Sequence, residues 1–430
     1  MIFKLKYTKD FLFFLFCVSV SSHCINYVVI EPFRLLDFFL LILLAFFILC
    51  YKKIKISNHF FFFLYLFLFL LIISTFVGSV KNINHNYKNV IFIYKYFIIC
   101  FIPIFIFTLK PTSNQIKTIQ YLLFFNFIFL VTWIYLYHIL NFFEIIDGHF
   151  RPSFFMSNDY DISDAHLYSM YIGMHLLIYL LYWQYLFSIS KILNYFIIIF
   201  TVPALFLVAA RTGIVVFTIM FLLHAIFKFH YYKLIVVNTK NCQKIFEFFI
   251  FFSLFLIICH FLQLGSLLGP PVERALIFDL FNDVSSLRRV QHLLHAINEI
   301  SFSYYMIGVG PISSIFRWYD GTLSILLAHS GISGVFTILF FLVYTIAYNY
   351  YHALKNFQLH KFRVFFIIIL GFILSNIITE YFLVTRVFFS VVIVLSCLSY
   401  QILNKKKFPK KRTTNSYFLF HTYQGKKVSI

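Results

Sequence analysis

Charge is what this chain lacks: only 12% of its 430 residues are Asp, Glu, Lys or Arg, against about 25% in an ordinary globular protein. That scarcity argues against a soluble domain with a solvated, charged surface. Neither a Walker motif nor G-x-G-x-x-G occurs, so the chain has no visible ATP or dinucleotide engine. There is no internal repeat and no soluble nucleotide-binding domain. The seven cysteines (Cys17, Cys24, Cys50, Cys100, Cys242, Cys259 and Cys397) fall in or beside hydrophobic runs or in a loop expected on the inner side. With no cysteine pair in an outer loop, neither disulfides nor a zinc site is expected.

What the chain has instead is hydrophobicity, 62% of its residues and a mean hydropathy of +0.89. Runs of roughly 18 or more apolar residues recur, each long enough to cross about 30 Å of hydrocarbon. The expected fold is an all-α polytopic membrane protein of about twelve transmembrane helices. Spans are placed near 11–30, 34–51, 60–78, 90–109, 117–140, 164–187, 191–210, 212–229, 245–263, 321–349, 364–382 and 386–403. The transmembrane domain thus covers 1–404, and 405–430 forms a basic cytoplasmic tail. Lys4, Lys6 and Lys9 before an apolar run could mimic a signal peptide, but no A-x-A-like site follows, so an uncleaved first helix is expected. Two outer loops stand out, at about 141–163 and, between helices nine and ten, at about 264–320.

The net charge of +20 would suggest nucleic acid in a soluble protein. Here the preference for cytoplasmic cations and anionic inner-leaflet lipid explains most of it, and no nucleic-acid partner is expected. The two kinds of cation part company across the expected topology. Of 25 lysines, all but Lys81, Lys88 and Lys95 lie on the cytoplasmic side. Eight of the 10 arginines lie at or beyond the outer ends of helices: Arg34, Arg151, Arg211, Arg274, Arg288, Arg289, Arg317 and Arg386. Of the 15 acidic residues, only Asp10 and Glu247 are clearly inside. Outer arginines run against the orientation bias, and guanidinium is the better fork for phosphate and carboxylate. An anionic substrate handled on the outer membrane face fits that pattern.

Three segments could carry chemistry. Along 286–300, a pitch of 100° per residue sets Arg288, His292, His295 and Glu299 within about 40° of one another, opposite Val290, Leu293, Leu294 and Ile297. This is an amphipathic helix at the outer interface, capped by Asp283 or Ser285. Either its polar side merely meets water, or Arg288 and Arg289 grip phosphate. His292 and His295, two ligands with no carboxylate framework, do not make a metal site. Downstream, Gly308-Val309-Gly310-Pro311 forces a tight turn, and Asp320 at the mouth of the tenth span is either a helix N-terminal charge or a catalytic base. Gly331 and Gly334 permit close helix packing. The second segment, Ala209-Ala210-Arg211-Thr212-Gly213, makes a tight outer turn whose small residues leave room for a ligand, unless Arg211 only snorkels to headgroups. The third is Arg151-Pro152-Ser153-Phe154, followed by Asn158, Asp159, Asp161 and Asp164, which either bind sugar hydroxyls or cap the next helix.

These places, in this order over about 150–335, resemble the bacterial Wzy-type polysaccharide polymerases and the related O-antigen ligases. That superfamily has about a dozen spans, a large late outer loop, a loop arginine before a middle span and a Ser-Arg-Thr/Ser-Gly-like turn. An arginine opens its large loop helix, and Gly-x-Gly and Gly-x-x-Gly follow. The counterparts here are Arg151, Ala210-Arg211-Thr212-Gly213, Arg288 or Arg289, Gly308-Val309-Gly310 and Gly331-Ile332-Ser333-Gly334. Two features depart from the pattern. Gln291 or His292 stands where an aromatic residue often follows the loop arginine. Tyr319-Asp320-Gly321 stands where ligases tend to place a His-Asn-like pair, which favours a polymerase.

The resemblance implies transfer of a growing glycan from undecaprenyl diphosphate onto the next lipid-linked repeat unit, at the periplasmic face of the inner membrane. The diphosphate leaving group supplies the energy, so no cofactor or metal is implied. Arg211, Arg288 and Arg289 would contact diphosphate, Arg151 would help position it, and Asp320, His292 or Glu299 would deprotonate the acceptor hydroxyl. The implied partners are an undecaprenyl-diphosphate-linked oligosaccharide, membrane lipids and a chain-length regulator protein. His292 and His295 keep a ligase acting on lipid A-core open. A flippase or transporter for an anionic lipid-linked glycan would instead place ionisable residues near the bilayer midplane, where the sequence offers only Lys95 and Glu380, near span ends.

Overall fold

The computed structural model describes residues 2–23, 25, 28–30, 33–50, 58–80, 90–145, 152, 165–208, 210–233, 284–302, 304, 306–311, 322–378 and 385–404. They are almost entirely helical. In chain order come α1 (Ile2–Ser22), a small antiparallel hairpin of β1 (Val28–Ile30) and β2 (Phe33–Arg34), α2 (Leu35–Cys50), α3 (Asn58–Val80), α4 (Val90–Leu109) and α5 (Ser113–Phe142). Next are α6 (Ala165–Ile178), which continues through a π-turn at Tyr179–Trp183 into α7 (Gln184–Leu186), then α8 (Lys191–Leu207) and α9 (Arg211–Lys233). Last are α10 (Val284–His295) with a π-helical extension at Ala296–Phe302, α11 (Thr322–Lys355), α12 (Leu359–Ile378) and α13 (Thr385–Leu403).

Local chemistry explains several ends. Thr112 opens α5 with a reciprocal cap: its Oγ1 accepts from Gln115 N (3.3 Å) and Gln115 Oε1 accepts from Thr112 N (2.9 Å). Ser190 caps α8 through Leu193 N. The first helix is displaced from the expected 11–30, running over Ile2–Ser22. The β-branched run Val28-Val29-Ile30 favours extended backbone and pairs with Phe33–Arg34 as the small hairpin.

Among the described residues, three helices are long and apolar enough to cross a membrane: α5, α11 and, within α12, Leu359–Asn376. Shorter apolar helices are Leu35–Cys50, Leu66–Val80, Tyr96–Leu109, Lys191–Leu207, Thr212–His224 and Phe388–Leu403. The described helices therefore carry the membrane character and the helical class, while the count of twelve crossings rests on sequence. The expected ninth span (245–263), most of both outer loops and the tail 405–430 lie outside the described residues.

Outward faces are apolar: Leu49 is 74% exposed and Phe125 71%. A soluble protein does not leave such surface wet, and lipid covers it without cost. Inside, the packing is aromatic and closed, with Trp183, Tyr137, Tyr168 and Tyr179 fully buried. A polar layer also crosses the interior. His23 Nδ1 lies 2.9 Å from Val20 O and 2.8 Å from Asn126 Nδ2, and its Nε2 lies 2.9 Å from Tyr171 Oη. The Tyr171 ring stacks on His175, whose Nδ1 donates to Tyr171 O (2.7 Å). Buried histidines inside the helix bundle correct the expectation that ionisable groups keep to span ends.

The second correction concerns Gly331. It is not a packing glycine in a continuous helix but a break in α11, with φ 64° and ψ −167°. That backbone region is essentially open to glycine alone. Gly308 and Gly310, also at positive φ (86° and 81°), bring a loop to the break. Val309 N donates to Ala328 O (2.9 Å) and Gly310 N to His329 O (3.0 Å), while Ser333 N beyond the break reaches Met306 O (3.4 Å). The loop is wedged between α11 and α3: a side chain on Gly310 would meet Thr75, and one on Gly78 would meet the Val309 carbonyl. Buried His329 is anchored by Tyr96 of α4, Oη to Nδ1 2.8 Å.

Replacing Gly331 by Ala forces a disfavoured backbone, at about 1–3 kcal/mol, and drives a methyl into the Met306 carbonyl. The thermal midpoint of the purified protein in detergent should fall clearly. Gly334→Ala should lower the midpoint as well, by a purely steric route: its new methyl meets both the hydroxyl and the Cβ of Ser330, and the Cβ cannot rotate away. Equal midpoints for G331A and wild type would refute the break.

Candidate functional site

The turn carrying Arg211 is held from both sides. α8 ends at Leu207, Val208 caps it, and α9 begins at Arg211, so two antiparallel helices are joined almost without a loop. On the α8 side, His138 of α5 donates from Nε2 to Leu207 O (2.9 Å), one of the last carbonyls that a helix end leaves unpaired. One turn before Pro203, Tyr135 of α5 donates to Phe200 O (2.6 Å). On the α9 side, the Ser169 hydroxyl of α6 donates to Ala210 O (2.8 Å) and accepts from Gly213 N (3.1 Å). The amide of Gly213 is one of the first-turn donors with no partner inside the helix. Ser169 therefore caps α9 from another helix.

Close backbone approach makes this cap possible. A side chain at Gly173 would collide with the Gly213 backbone, and one at Gly213 with Ser169. α6 and α9 consequently pack more intimately than any other pair of described helices. Arg211 thus stands at the first position of α9, with no acidic residue in that first turn. Of its side chain nothing is described.

α10 presents a different picture. Leu287, Val290 and Leu294 are more than half exposed, with His295 and Gln291 on the outside as well. Arg289 and His292 are half-buried, and Ala296 and Ile300 beyond them are buried. Of the expected polar stripe, His292 is half-buried and His295 exposed; of the opposite apolar face, Val290 and Leu294 face out while Leu293 and Ile297 are half-buried. The Nε of Arg289 is out of solvent contact, with no hydrogen-bond partner among the described residues. The helix also ends at His295, where the chain widens into the π-helix at Ala296–Phe302. The wider turn carries Glu299 round from the α-helical register that placed it with Arg288 and His292.

α10 and its extension pack against α11, the extension most closely, and α9 packs against α6 and α12. α12 touches both α9 and α11, so it links the two neighbourhoods. Of Arg288 and Glu299 only the helix position is described, and Arg151 and Asp320 lie outside the described residues. Among the described residues, no three His, Cys, Asp or Glu side chains cluster as metal ligands.

Sequence reading missed Ser169 and His138. A signal existed for Ser169: it forms a small-x-x-x-small pair with Gly173, the spacing that lets membrane helices approach closely. His138 stood out only as a polar residue inside an apolar run. His138→Phe keeps a ring but leaves Leu207 O without its donor, a loss of about 1–3 kcal/mol for a buried polar group. A lowered thermal midpoint in detergent is expected; an unchanged one would mean that the contact holds nothing.

Set against known proteins, the chain matches no family model, no curated protein and no solved structure.

Proposed function

We propose that this chain is a membrane polysaccharide polymerase, joining undecaprenyl-diphosphate-linked oligosaccharide repeat units on the periplasmic face of a bacterial inner membrane. In this proposal it crosses about twelve times with both termini in the cytoplasm. The observation that carries the reading is Arg211, at the first position of α9 on a turn clamped by His138 and Ser169, with no carboxylate in that helical turn. A guanidinium there adds to the positive end of the helix dipole instead of offsetting it. An anion relieves that arrangement, and a diphosphate matches both the guanidinium fork and the helix N-terminus.

The chemistry asks little more of the protein. The diphosphate is the leaving group, so bond energy travels with the substrate and no nucleotide is consumed. Arg211, Arg288 and Arg289 stabilise the charge that develops on the departing lipid diphosphate, and Arg151 helps position it. His292, Glu299 or Asp320 takes the proton from the acceptor hydroxyl. Membrane lipid and a chain-length regulator complete the partners.

One pair of observations favours a second reading, a flippase or transporter. Such proteins use broken helices and buried ionisable groups, and the chain has a break at Gly331 and buried His23 and His175. In transporters, however, half-helix ends coordinate cargo. Here the carbonyls of Ala328 and His329 already accept hydrogen bonds from the chain's own Val309 and Gly310. The polymerase is therefore the better fit.

A gel of surface polysaccharide from a deletion strain separates the alternatives. Loss of a polymerase leaves single repeat units on the core, loss of a ligase leaves polymer unattached to it, and loss of a flippase leaves neither. Complementation with Arg211→Ala, Arg288→Ala or Arg289→Ala should reproduce the single-repeat pattern at normal protein levels. Wild-type chain lengths in all three would refute the proposal.

A further inference from the structure

We infer that Ser169 is a positioning residue for the anion site, acting through Arg211; this rests on the polymerase reading of that site. Ser169 is fully buried on α6, and its hydroxyl bonds to the backbone on both flanks of Arg211: to Ala210 O before it and from Gly213 N after it. Many serines in this bundle turn back on their own helix, as Ser19 does to Leu15 O, Ser330 to Leu326 O and Ser396 to Val392 O. Such bonds orient nothing beyond their own turn. Ser169 reaches 41 and 44 residues along the chain, to two peptide groups that bracket the Arg211-Thr212 pair.

The cap acts on the backbone at the start of α9, from which Arg211 springs. The first turn of α9 has no partner of its own for the Gly213 amide. With Ser169 in place, the peptide before Arg211 and the one after Thr212 are both pinned, so the backbone of the first helical turn is held at Arg211. Gly173 opposite Gly213 removes the slack that a longer side chain would introduce. A long arginine amplifies any rotation at its Cα, and misplacing a binding group by about 1 Å is enough to lose most of its effect. Ser169 touches neither substrate nor reacting atoms in this scheme; it sets where the guanidinium can go.

The test is a double-mutant cycle on the full-length protein in lipid nanodiscs, measuring affinity for undecaprenyl diphosphate alongside the thermal midpoint. Ser169→Ala removes both of the hydroxyl's buried hydrogen bonds, each worth about fivefold, and should weaken binding about fivefold or more. Arg211→Ala should weaken it more, and the S169A/R211A double variant should bind no worse than R211A, because Ser169 acts through the arginine. If S169A does not reach the membrane, Ser169→Cys, with similar bulk and weaker hydrogen bonds, should show a smaller loss in the same direction. Wild-type affinity in S169A, or an equal further loss in the R211A background, overturns the positioning role alone. Wild-type protein that holds the lipid diphosphate no better than R211A overturns the polymerase reading itself.

Discussion

In a bilayer every backbone N–H and C=O must find a partner inside the protein, because hydrocarbon offers none and each unpaired group costs several kcal/mol. A continuous helix meets this by itself. The places where this chain interrupts its helices are therefore the places where the rest of the molecule must intervene. At Gly331 the carbonyls of Ala328 and His329 lose their helical partners, and the Gly308–Gly310 loop supplies amides. At the turn after α8 the Leu207 carbonyl and the Gly213 amide are left over, and His138 and Ser169 answer them. Each repair recruits a different neighbour, so the breaks bind the bundle together: α3 and α4 at the first, α5 and α6 at the second.

The same constraint bears on where the proposed site lies. Irregular backbone at or near the membrane persists only where it is enclosed by protein or lines a cavity. A chain that needed nothing but a membrane anchor would join α8 to α9 by a longer polar loop in water. Instead the join is reduced to a few small residues, clamped, and given a single arginine. The electrostatics go the wrong way for stability, since the cation sits on the positive end of α9 with no first-turn carboxylate. Arrangements that cost stability locally are where binding sites are found.

Much of the helical layout was legible before the structure from apolar runs alone: the helix expected from 191 begins at Lys191, whereas the one expected from 117 begins at Ser113, because the Thr112-Gln115 capping box was not read. The end of α1 was misplaced because hydropathy does not distinguish a helix from the extended Val28–Ile30 run. Gly331 could be seen, but its backbone angle could not, so a break looked like a packing contact. Which face of α10 turns inward was left open for a related reason. Amphipathicity tells which residues share a face and not which face meets the bundle. Arg211 was legible as a candidate from its small neighbours. Ser169 and His138 were not, because their partners lie 41 and 69 residues away, and a hydroxyl or imidazole announces nothing about a carbonyl so distant.

The buried histidines are the hardest feature to reconcile with surface chemistry alone. An ionisable side chain inside a membrane bundle is a functional hypothesis by default, yet a structural role accounts for most of what is seen. Tyr171 belongs to α6, the helix that also carries Ser169 and Gly173. His23 contacts it from the end of α1, Asn126 contacts His23 from α5, and His175 contacts it one turn further along α6. This layer therefore fixes α6 against α1 and α5 one turn inward from the Ser169 clamp. If α6 could slide or rotate, Ser169 would miss Ala210 O and Gly213 N. The polar layer and the turn before α9 are then two levels of one arrangement: the inner level sets the register of α6, and the outer level uses that register to clamp the backbone that opens α9.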